Sequence, residues 1–307
     1  MKNNRKNTDQ KDGKKEARYV IIRLLFAISS FILAMWFLYM CAAYVIQTVD
    51  ESILKQKYEQ AGTVTATLSD ALEENIESDE TAPITDAQTG DGKQLEPISS
   101  SAAAELYLKQ PQKQFDHAGL SASNRDYRFW IDIPGTRISY PVVQSQDNTD
   151  YLKKNFDGTR RGSGSIFIDA GIRDYQKTRN LIIHGHDMKS GSMFGTLSSY
   201  GSLSFYNKHP FIYLYTPDST LVYQVFAAYV VPKDIDTNLV YRIAFANTEA
   251  YEAFLETLTE RSVIQTGVVP SSDRQILTLS TCANRGKNRF IVHAIRYQYC
   301  LLYTSPS

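Results

Sequence analysis

The chain has 307 residues and a formal net charge of zero, with 33 Lys and Arg side chains against 33 Asp and Glu. This length is ample for a hydrophobic core and accommodates one large domain with accessory segments, or two domains. The three cysteines are too few for a disulfide-built scaffold or a four-cysteine zinc module. A neutral total argues against a nucleic-acid binder that works through an overall basic surface, so we expect no nucleic-acid partner.

The charges are distributed unevenly along the chain. Residues 1–49 carry eight basic and three acidic side chains, residues 50–105 carry three and thirteen, and the remainder carries 22 and 17. The net charge of zero is therefore the sum of a basic amino terminus, an acidic stretch and a mildly basic remainder. We predict that these three parts have different roles.

A long apolar segment follows the basic amino terminus. Residues 24–46 read LLFAISSFILAMWFLYMCAAYVI and contain no charged side chain. At about 1.5 Å per residue, a helix of this length reaches roughly 34 Å and crosses a hydrocarbon core. The basic residues 1–23 predict a cytoplasmic amino terminus for a single-pass membrane protein, with the rest of the chain outside the cell. The alternative is a cleaved signal peptide, whose apolar core is usually only about 7 to 15 residues long.

The next segment has the composition of a spacer. Residues 47–101 are acidic, and from Ser78 onward they are mostly Ser, Thr, Asp, Glu, Gly and Pro. Such a composition buries too little apolar surface to order itself, so we predict a stalk. We place the folded domain at residues 102–299. The tail 300–307, CLLYTSPS, does not continue the strand pattern and is left out of the domain.

The folded domain is predicted to be mostly β. Eight runs are rich in β-branched or aromatic residues; they are 129–133, 138–143, 165–168, 180–183, 211–215, 221–231, 275–280 and 289–297. Helical crossovers between them are mostly missing, which favours an eight-stranded, closed or nearly closed β-barrel. Pro141 in the second run indicates an edge strand or a bulge.

A few peripheral helices are predicted beside the barrel. Asn247 is a suitable cap for one helix. The apolar residues that follow it have the spacing i, i+3, i+4, i+7, which indicates one stripe packed on the barrel; they are Tyr251, Phe254, Leu255 and Leu258. A second helix is predicted at 102–109.

Cys282 is the candidate nucleophile, because it lies where an apolar strand gives way to a polar loop. An isolated cysteine is otherwise often a small buried apolar residue. Two nearby arginines, Arg285 and Arg289, favour the thiolate over the thiol and suit the stabilisation of an oxyanion. Arg289 opens the last strand and is favoured for function, whereas Arg285 has the alternative of a solvated loop charge.

A nucleophilic cysteine needs a base within hydrogen-bond reach, and five histidines are available. His186 follows a predicted strand and precedes a Gly- and Ser-rich loop, so it is favoured. His184 belongs to the strand end and is the weaker candidate, although the sequence separates the two only slightly. His117 and His209 lie in polar turns and are predicted to be solvated, and His293 within the last strand is predicted to be structural.

These pieces together resemble the sortases, specifically class B. The resemblance rests first on TLSTC (278–282), NLIIHGHDM (180–188) and RFIVHA (289–294). It is supported by FWIDIPGTRISYPVVQ (129–144), SMFGTL (192–197) and the helix at about 247–261. It covers roughly residues 106–297. The loop between Cys282 and Arg289 is shorter than in some members, which leaves Arg285 open as an alternative, and position 184 is His where many members carry Tyr.

The resemblance implies a membrane-anchored cysteine transpeptidase that fixes secreted proteins to peptidoglycan in Gram-positive bacteria. Cys282 matches the nucleophile, His186 the catalytic histidine and Arg289 the catalytic arginine of the family. The implied substrates are proteins with a carboxy-terminal sorting signal of the Asn-Pro-x-Thr-Asn or Pro-x-Thr-Gly type, cut after Thr. The implied acceptor is a peptidoglycan precursor amine, lipid-linked or in a cross-bridge. Neither a metal nor an organic cofactor is required.

Further side chains are predicted to bind substrate, and three other functions stay open. The predicted substrate-binding residues are Ser280, Thr281 and His184, although strand packing is an equal alternative for Ser280 and Thr281. A cysteine peptidase that mainly hydrolyses is the nearest alternative function. A zinc metallohydrolase using His184 and His186 is less favoured, because Asp187 lies one position too early for the usual His-x-His-x-Asp pattern. The third alternative is a surface receptor without enzymatic activity.

Overall fold

The computed structural model describes residues 23, 26, 28–42, 95–110, 113–160, 163–235, 237–283 and 287–298. The chain divides into two compact units, Met1–Leu54 and Lys55–Ser307. In the first unit, residues 28–42 are helical. The predicted span 24–46 lies partly outside the described residues, and no helix within those ranges is long and apolar enough to cross a membrane. Most of the predicted stalk and the tail 300–307 also lie outside them.

Eight strands in the second unit form a closed barrel, which confirms the predicted eight-stranded β-barrel. The strands are β1 (Tyr127–Asp132), β2 (Ser139–Val143), β3 (Ile166–Ile168), β4 (Asn180–Gly185), β5 (Phe211–Tyr215), β6 (Thr220–Pro232), β7 (Ile276–Ala283) and β8 (Asn288–Arg296). Their order around the barrel is β1-β2-β3-β4-β7-β8-β6-β5. Two neighbouring pairs, β2–β3 and β4–β7, are parallel. The β4–β7 pair matters for function because parallel strands bring their carboxyl ends to the same rim.

Four helices lie beside the barrel in the described part of the chain. They are α1 (Ser100–Lys109), α2 (His117–Ser123), α3 (Leu203–Lys208) and α4 (Thr248–Glu260). The Asn247 side chain caps α4 by accepting a hydrogen bond of 2.9 Å from the Ala250 amide, as predicted. The apolar stripe of α4 is buried in one hydrophobic cluster with residues of β6, β7 and β8. The members from β7 and β8 are Ile276, Ile291 and Ile295. A helix of this size cannot enter an eight-stranded barrel, so this face of β7 and β8 is the outer one.

The chain is attached to the barrel before the predicted start at residue 102. The Ile98 amide donates a hydrogen bond of 2.8 Å to Asn207 Oδ1. Asn207 Nδ2 in turn donates one of 2.9 Å to the Glu96 carbonyl. The segment from residue 96 therefore already packs with the folded domain.

Pro141 differs from its expected place on an edge strand. The strand β2 has neighbours on both sides, because the barrel is closed. Its pairing with β3 involves only Val142 and Val143, however, so Pro141 has no partner residue in β3. The missing amide hydrogen of proline is tolerated there because the parallel ladder begins one residue later.

The prediction that His117 and His209 are solvated is wrong. His117 Nδ1 lies 2.7 Å from the Tyr127 hydroxyl. His209 Nδ1 donates a hydrogen bond of 2.8 Å to the Pro134 carbonyl. Burial lowers the pKa of both rings. His117 therefore links α2 to β1, and His209 links the end of α3 to the β1–β2 connection, roles that a polar local sequence did not indicate.

Candidate active site

The three predicted catalytic residues form a row at one rim of the barrel: Cys282 and Arg289 lie on β7 and β8, and His186 directly follows β4. In the parallel β4–β7 pair, Gly185 is opposite Thr281, so His186 and Cys282 follow at the same rim. In the antiparallel β7–β8 pair, Cys282 is opposite Arg289. Neighbouring strands are about 4.8 Å apart. The backbones of Cys282 and Arg289 are paired, and His186 follows the last paired residue of β4 on the other side of β7.

The alternation of side chains along a strand determines which other residues lie on the same face of the sheet as this row. Alternate residues of a strand occupy the same face, so Ser280 and Cys282 lie on one face of β7 and Thr281 lies on the other. The register places His184 opposite Ser280, on the same outer face. The alternation places Thr281 on the inner face, and both Ser280 and Thr281 are only 2% exposed. The structure therefore brings His184 and Ser280 to the candidate site and does not bring Thr281 there.

His186 has a backbone carbonyl as its hydrogen-bond partner. Its Nε2 atom lies 2.7 Å from the carbonyl oxygen of Leu152. Because a carbonyl oxygen only accepts, Nε2 carries the hydrogen and donates it. The other ring nitrogen, Nδ1, is then left to exchange a proton with a reacting group. Leu152 belongs to a 3₁₀ turn, Asp150–Leu152, in the connection from β2 to β3.

The segment after His186 folds back tightly on the end of β4. The Phe194 amide donates a hydrogen bond of 2.9 Å to the His186 carbonyl. A Cβ atom at Gly185 would lie only 2.7 Å from the Phe194 ring, so glycine is required for this approach. Met193 has a positive φ of 52° in the same turn, and its amide donates to the Tyr140 hydroxyl. This turn fixes the backbone that carries His186.

His184 forms a pair with a carboxylate that the sequence did not indicate. His184 Nε2 lies 2.9 Å from Asp169 Oδ2. Asp169 also accepts hydrogen bonds of 2.9 Å from Asn148 Nδ2 and from the Gly171 amide. Burial alone would raise the pKa of the Asp169 carboxyl, but the hydrogen bonds from His184 and Gly171 outweigh burial and hold the pKa below its usual value. Asp169 is therefore ionised at neutral pH.

The connection from β6 to β7 packs beside His184 and Ser280. The Tyr241 hydroxyl lies 2.8 Å from Ser280 Oγ. The rings of Tyr241 and His184 have centroids 5.7 Å apart. Asn180 Nδ2 at the start of β4 donates a hydrogen bond of 3.0 Å to the Arg242 carbonyl, which ties this connection to the sheet. Tyr241 carried no sequence signal, because it lies outside the predicted strands and motifs.

Of the two arginine candidates, the structure describes Arg289 but not Arg285. Arg289 is partly buried, and its Nη1 donates a hydrogen bond of 3.3 Å to the Asn288 carbonyl. Arg285 lies in 284–286, outside the described residues. The register thus places Arg289 directly opposite Cys282.

The two histidines of the zinc alternative have different partners. His184 is bound to Asp169 and His186 to the Leu152 carbonyl, so their Nε2 atoms point to separate groups. Among the described residues, no three His, Cys, Asp or Glu side chains are grouped to hold a metal ion. This part of the structure therefore offers no support for a site that combines the two histidines.

The chain is similar to two curated sortases of class B. It is 36% identical to sortase B of Staphylococcus aureus over 163 residues, which is 53% of this chain and 66% of the relative. It is 34% identical to sortase B of Listeria monocytogenes over 166 residues, which is 53% of this chain and 65% of the relative. The matched region thus spans slightly less than two thirds of each relative.

Solved sortase B structures resemble the barrel. The sortase B structure of Clostridium perfringens matches with a TM-score of 0.57 and 31% identity, covering 60% of this chain and 100% of that one. A sortase B–substrate complex of Staphylococcus aureus and a sortase B complex with triglycine each match with a TM-score of 0.55 and 33% identity. Each of these two matches covers 60% of this chain. The matched region is 85% of the substrate complex chain and 86% of the triglycine complex chain.

A family comparison agrees with the relatives and the solved structures. The sortase domain family matches residues 131–297, more than half of the chain. That region includes β4, β7 and β8 and hence the whole row of His186, Cys282 and Arg289. The chain therefore belongs to the sortase family of cysteine transpeptidases, and the relatives that it resembles are of class B.

Proposed function

We propose that this protein is a sortase B-like transpeptidase that cuts a carboxy-terminal sorting signal at Thr and joins the protein to a cell-wall amine. The observation that carries the proposal is the row of His186, Cys282 and Arg289 at the rim formed by three adjacent strands, β4, β7 and β8. The signal is of the Asn-Pro-x-Thr-Asn or Pro-x-Thr-Gly type. The reaction needs no metal or organic cofactor, because these three residue types supply a nucleophile, an acid–base group and an oxyanion partner.

The first half of the reaction forms a thioester. The Cys282 thiolate attacks the Thr carbonyl carbon, and Arg289 stabilises the oxyanion of the tetrahedral intermediate. As the peptide C–N bond breaks, protonated His186 donates its proton to the leaving amine. The products are a thioacyl enzyme and the released carboxy-terminal fragment.

The second half transfers the acyl group to an amine. The amine nitrogen attacks the thioester carbon, His186 accepts the proton, and the C–S bond breaks to restore the Cys282 thiolate. The acceptor is an amine of a peptidoglycan precursor, lipid-linked or in a cross-bridge. A sortase B complex with triglycine among the similar structures supports an amine acceptor for this chain.

The outer face beside the catalytic row is proposed to bind the sorting peptide. His184 and Ser280 occupy this face, and Tyr241 stands next to them on the β6–β7 connection. These side chains offer hydrogen-bonding groups and an aromatic surface, which suits an extended peptide. A substrate complex among the similar sortase B structures supports peptide binding at the barrel.

The protein is proposed to be a single-pass membrane protein with a cytoplasmic amino terminus and an extracellular barrel. The support is the uncharged segment 24–46 behind the basic residues 1–23. A wall-anchoring enzyme needs this location, because both of its substrates lie outside the membrane.

The test is a peptide-library assay on the full-length protein in detergent, with an amine acceptor and products identified by mass spectrometry. We expect ligated peptides from members that carry Thr before the scissile bond, and no product from Cys282→Ala. Hydrolysis that persists with excess amine, without ligation, would favour the cysteine peptidase. Cleavage by Cys282→Ala would rule out the cysteine mechanism. A requirement for zinc, with activity lost to a chelator, would favour the metallohydrolase.

A further inference from the structure

The catalytic histidine is oriented by backbone rather than by a side chain. Nucleophile–base pairs are usually completed by a third group that orients the base, often a carboxylate. Within the described part of the chain, His186 has no carboxylate partner, and its ring is bound to the Leu152 carbonyl at 2.7 Å. The position of this carbonyl depends in turn on the residues that hold the 3₁₀ turn.

Tyr151 holds the turn from the inside of the protein. Its side chain is fully buried, and its hydroxyl donates a hydrogen bond of 2.9 Å to Asp126 Oδ2. Asn124 Nδ2 donates one of 3.1 Å to the same hydroxyl. The Tyr151 carbonyl accepts a hydrogen bond of 2.9 Å from the Ser165 amide. The peptide unit before Leu152 is therefore fixed by contacts at the ring and at the backbone.

Gly164 allows the turn to lie where it does. Its φ is +62°, and a Cβ atom there would be 2.7 Å from the Leu152 oxygen and 2.6 Å from the Tyr151 oxygen. Distances below about 3.0 Å between such atoms are repulsive, and backbone atoms cannot rotate away as a flexible side chain can. Any side chain at Gly164 must therefore displace the Leu152 carbonyl from its present position.

We propose that the Leu152 carbonyl is the orienting partner of catalytic His186, and that Gly164 and Tyr151 are the positioning residues that hold it in place. The carbonyl keeps hydrogen on Nε2, fixes the plane of the ring and leaves Nδ1 to exchange the proton. Its dipole also stabilises the imidazolium form that donates to the leaving amine. This inference rests on the proposed function, since it assumes that His186 is the acid–base group.

The chain offers a matched control for the test. Gly158 lies in the same β2–β3 connection and has a φ of +83°, but a Cβ atom there would meet nothing within 4 Å. Alanine at either glycine imposes the backbone cost of a positive φ. Only Gly164→Ala adds a collision with the Leu152 and Tyr151 carbonyls. The difference between the two variants therefore isolates the displacement of the turn.

The experiment measures kcat, KM and the pH profile of transpeptidation for the full-length protein, normalised to the Cys282 thiol titrated in each preparation. We expect kcat of Gly164→Ala to fall about 10- to 100-fold, as misplacement of a reacting group by about 1 Å does. KM should change less than about twofold, because binding is unaffected. The limb of the kcat profile that reports the histidine should move in Gly164→Ala and stay in place in Gly158→Ala.

A second pair keeps the test decisive if Gly164→Ala does not fold. Tyr151→Phe removes the hydroxyl that anchors the turn, and Tyr200→Phe removes a buried hydroxyl bonded to the His209 carbonyl instead. We expect a several-fold loss of kcat with a shifted pH profile only for Tyr151→Phe. Equal kcat and pH profiles within both pairs would overturn the inference. Failure of the proposed function looks different, because then the wild type does not ligate or His186→Ala remains active.

Discussion

The outer face of β4, β7 and β8 has two ends, one buried and one partly exposed, which we call the covered end and the open end. Each end contains a histidine, and the two histidines have different hydrogen-bond partners. At the covered end, Thr278 Oγ1 donates a hydrogen bond of 2.6 Å to Asn180 Oδ1 and lies 2.9 Å from His293 Nδ1. The Tyr229 hydroxyl lies 2.8 Å from His293 Nε2. Asn180, Thr278 and His293 are completely buried. Both nitrogens of His293 thus have partners, and water does not reach the ring.

The open end lies at the other end of the same strands. His186 is partly exposed, and the single hydrogen-bond partner of its ring among the described residues is the Leu152 carbonyl. Burial lowers the pKa of His293 to about 3, so that ring is neutral at neutral pH and is no acid. A ring nitrogen without a partner among the described residues, rather than the presence of a histidine, therefore distinguishes the end with the candidate site from the covered end.

The largest expected effect separates the two histidines. His186→Ala should lower kcat/KM for transpeptidation by about 10²- to 10⁴-fold, the usual contribution of a general acid–base group. Its melting temperature should stay close to that of the wild type, because the ring is partly exposed and packs little. His293→Gln should show the reverse, with a lowered melting temperature and nearly normal kcat/KM per folded molecule. A similar activity loss in both variants would remove the distinction between the ends.

The next effect concerns the arginine opposite Cys282. Arg289→Lys keeps the charge but loses the planar guanidinium, so we expect kcat to fall about 10²- to 10³-fold, as when an oxyanion donor is removed. Arg296→Lys is the matched control, because Arg296 lies at the other end of β8, over the Tyr223 ring. The kcat of each of the two variants is measured by steady-state kinetics at saturating amine. Equal activity of the two variants would direct attention back to Arg285.

The strands and the covered end could be predicted from sequence because they depend on local pattern. Runs of β-branched and aromatic residues located all eight strands, and His293 inside such a run was correctly predicted to be structural. The two-residue alternation of side chains along a strand also carried information that the prediction did not use, since it places Thr281 on the opposite face from Ser280 and Cys282. That signal could have placed Thr281 on the inner face of the barrel in advance.

The open end was less predictable because its partners come from distant loops. The Leu152 carbonyl is backbone, which has the same chemistry at every residue and leaves no mark in the sequence. Asp169 and Tyr241 reach His184 only because the barrel closes and the β6–β7 connection folds over the sheet. The resemblance to sortases named the candidate catalytic residues, but it did not contain the contacts around them.

A third, smaller effect tests the covered end through its pH dependence. An unfolded histidine has a pKa of about 6.5, whereas His293 in the fold has a pKa of about 3. Between these values the unfolded state binds the proton and the folded state does not, so stability falls as the pH falls. The slope is at most about 1.4 kcal/mol per pH unit.

Urea unfolding at pH 7, 6 and 5 measures this slope. His293→Gln should lose less stability than the wild type over this range, even though it starts from a lower value. His117 and His209 also have lowered pKa values and contribute a slope of the same sign, but both proteins retain them. Parallel pH dependences of the two proteins would show that His293 does not couple protons to folding.

The smallest expected effect tests whether the Asp169–His184 pair belongs to the peptide-binding surface. Asp169→Asn has nearly the same shape but offers one acceptor oxygen to three donors, so it loses the fixed orientation of His184. We expect KM for the sorting peptide to rise about 3- to 10-fold with kcat within about twofold, the pattern of lost uniform binding. Asp174→Asn is the control, since that carboxylate lies in the same β3–β4 connection, accepts a hydrogen bond from the Gln176 amide and pairs with Lys177 rather than with His184. The rise should be equal at pH 6 and pH 8, because the pKa of Asp169 lies below its usual value and the carboxylate is ionised throughout. An unchanged KM would restrict the open end to the row of His186, Cys282 and Arg289 and make the pair part of the barrel's structure.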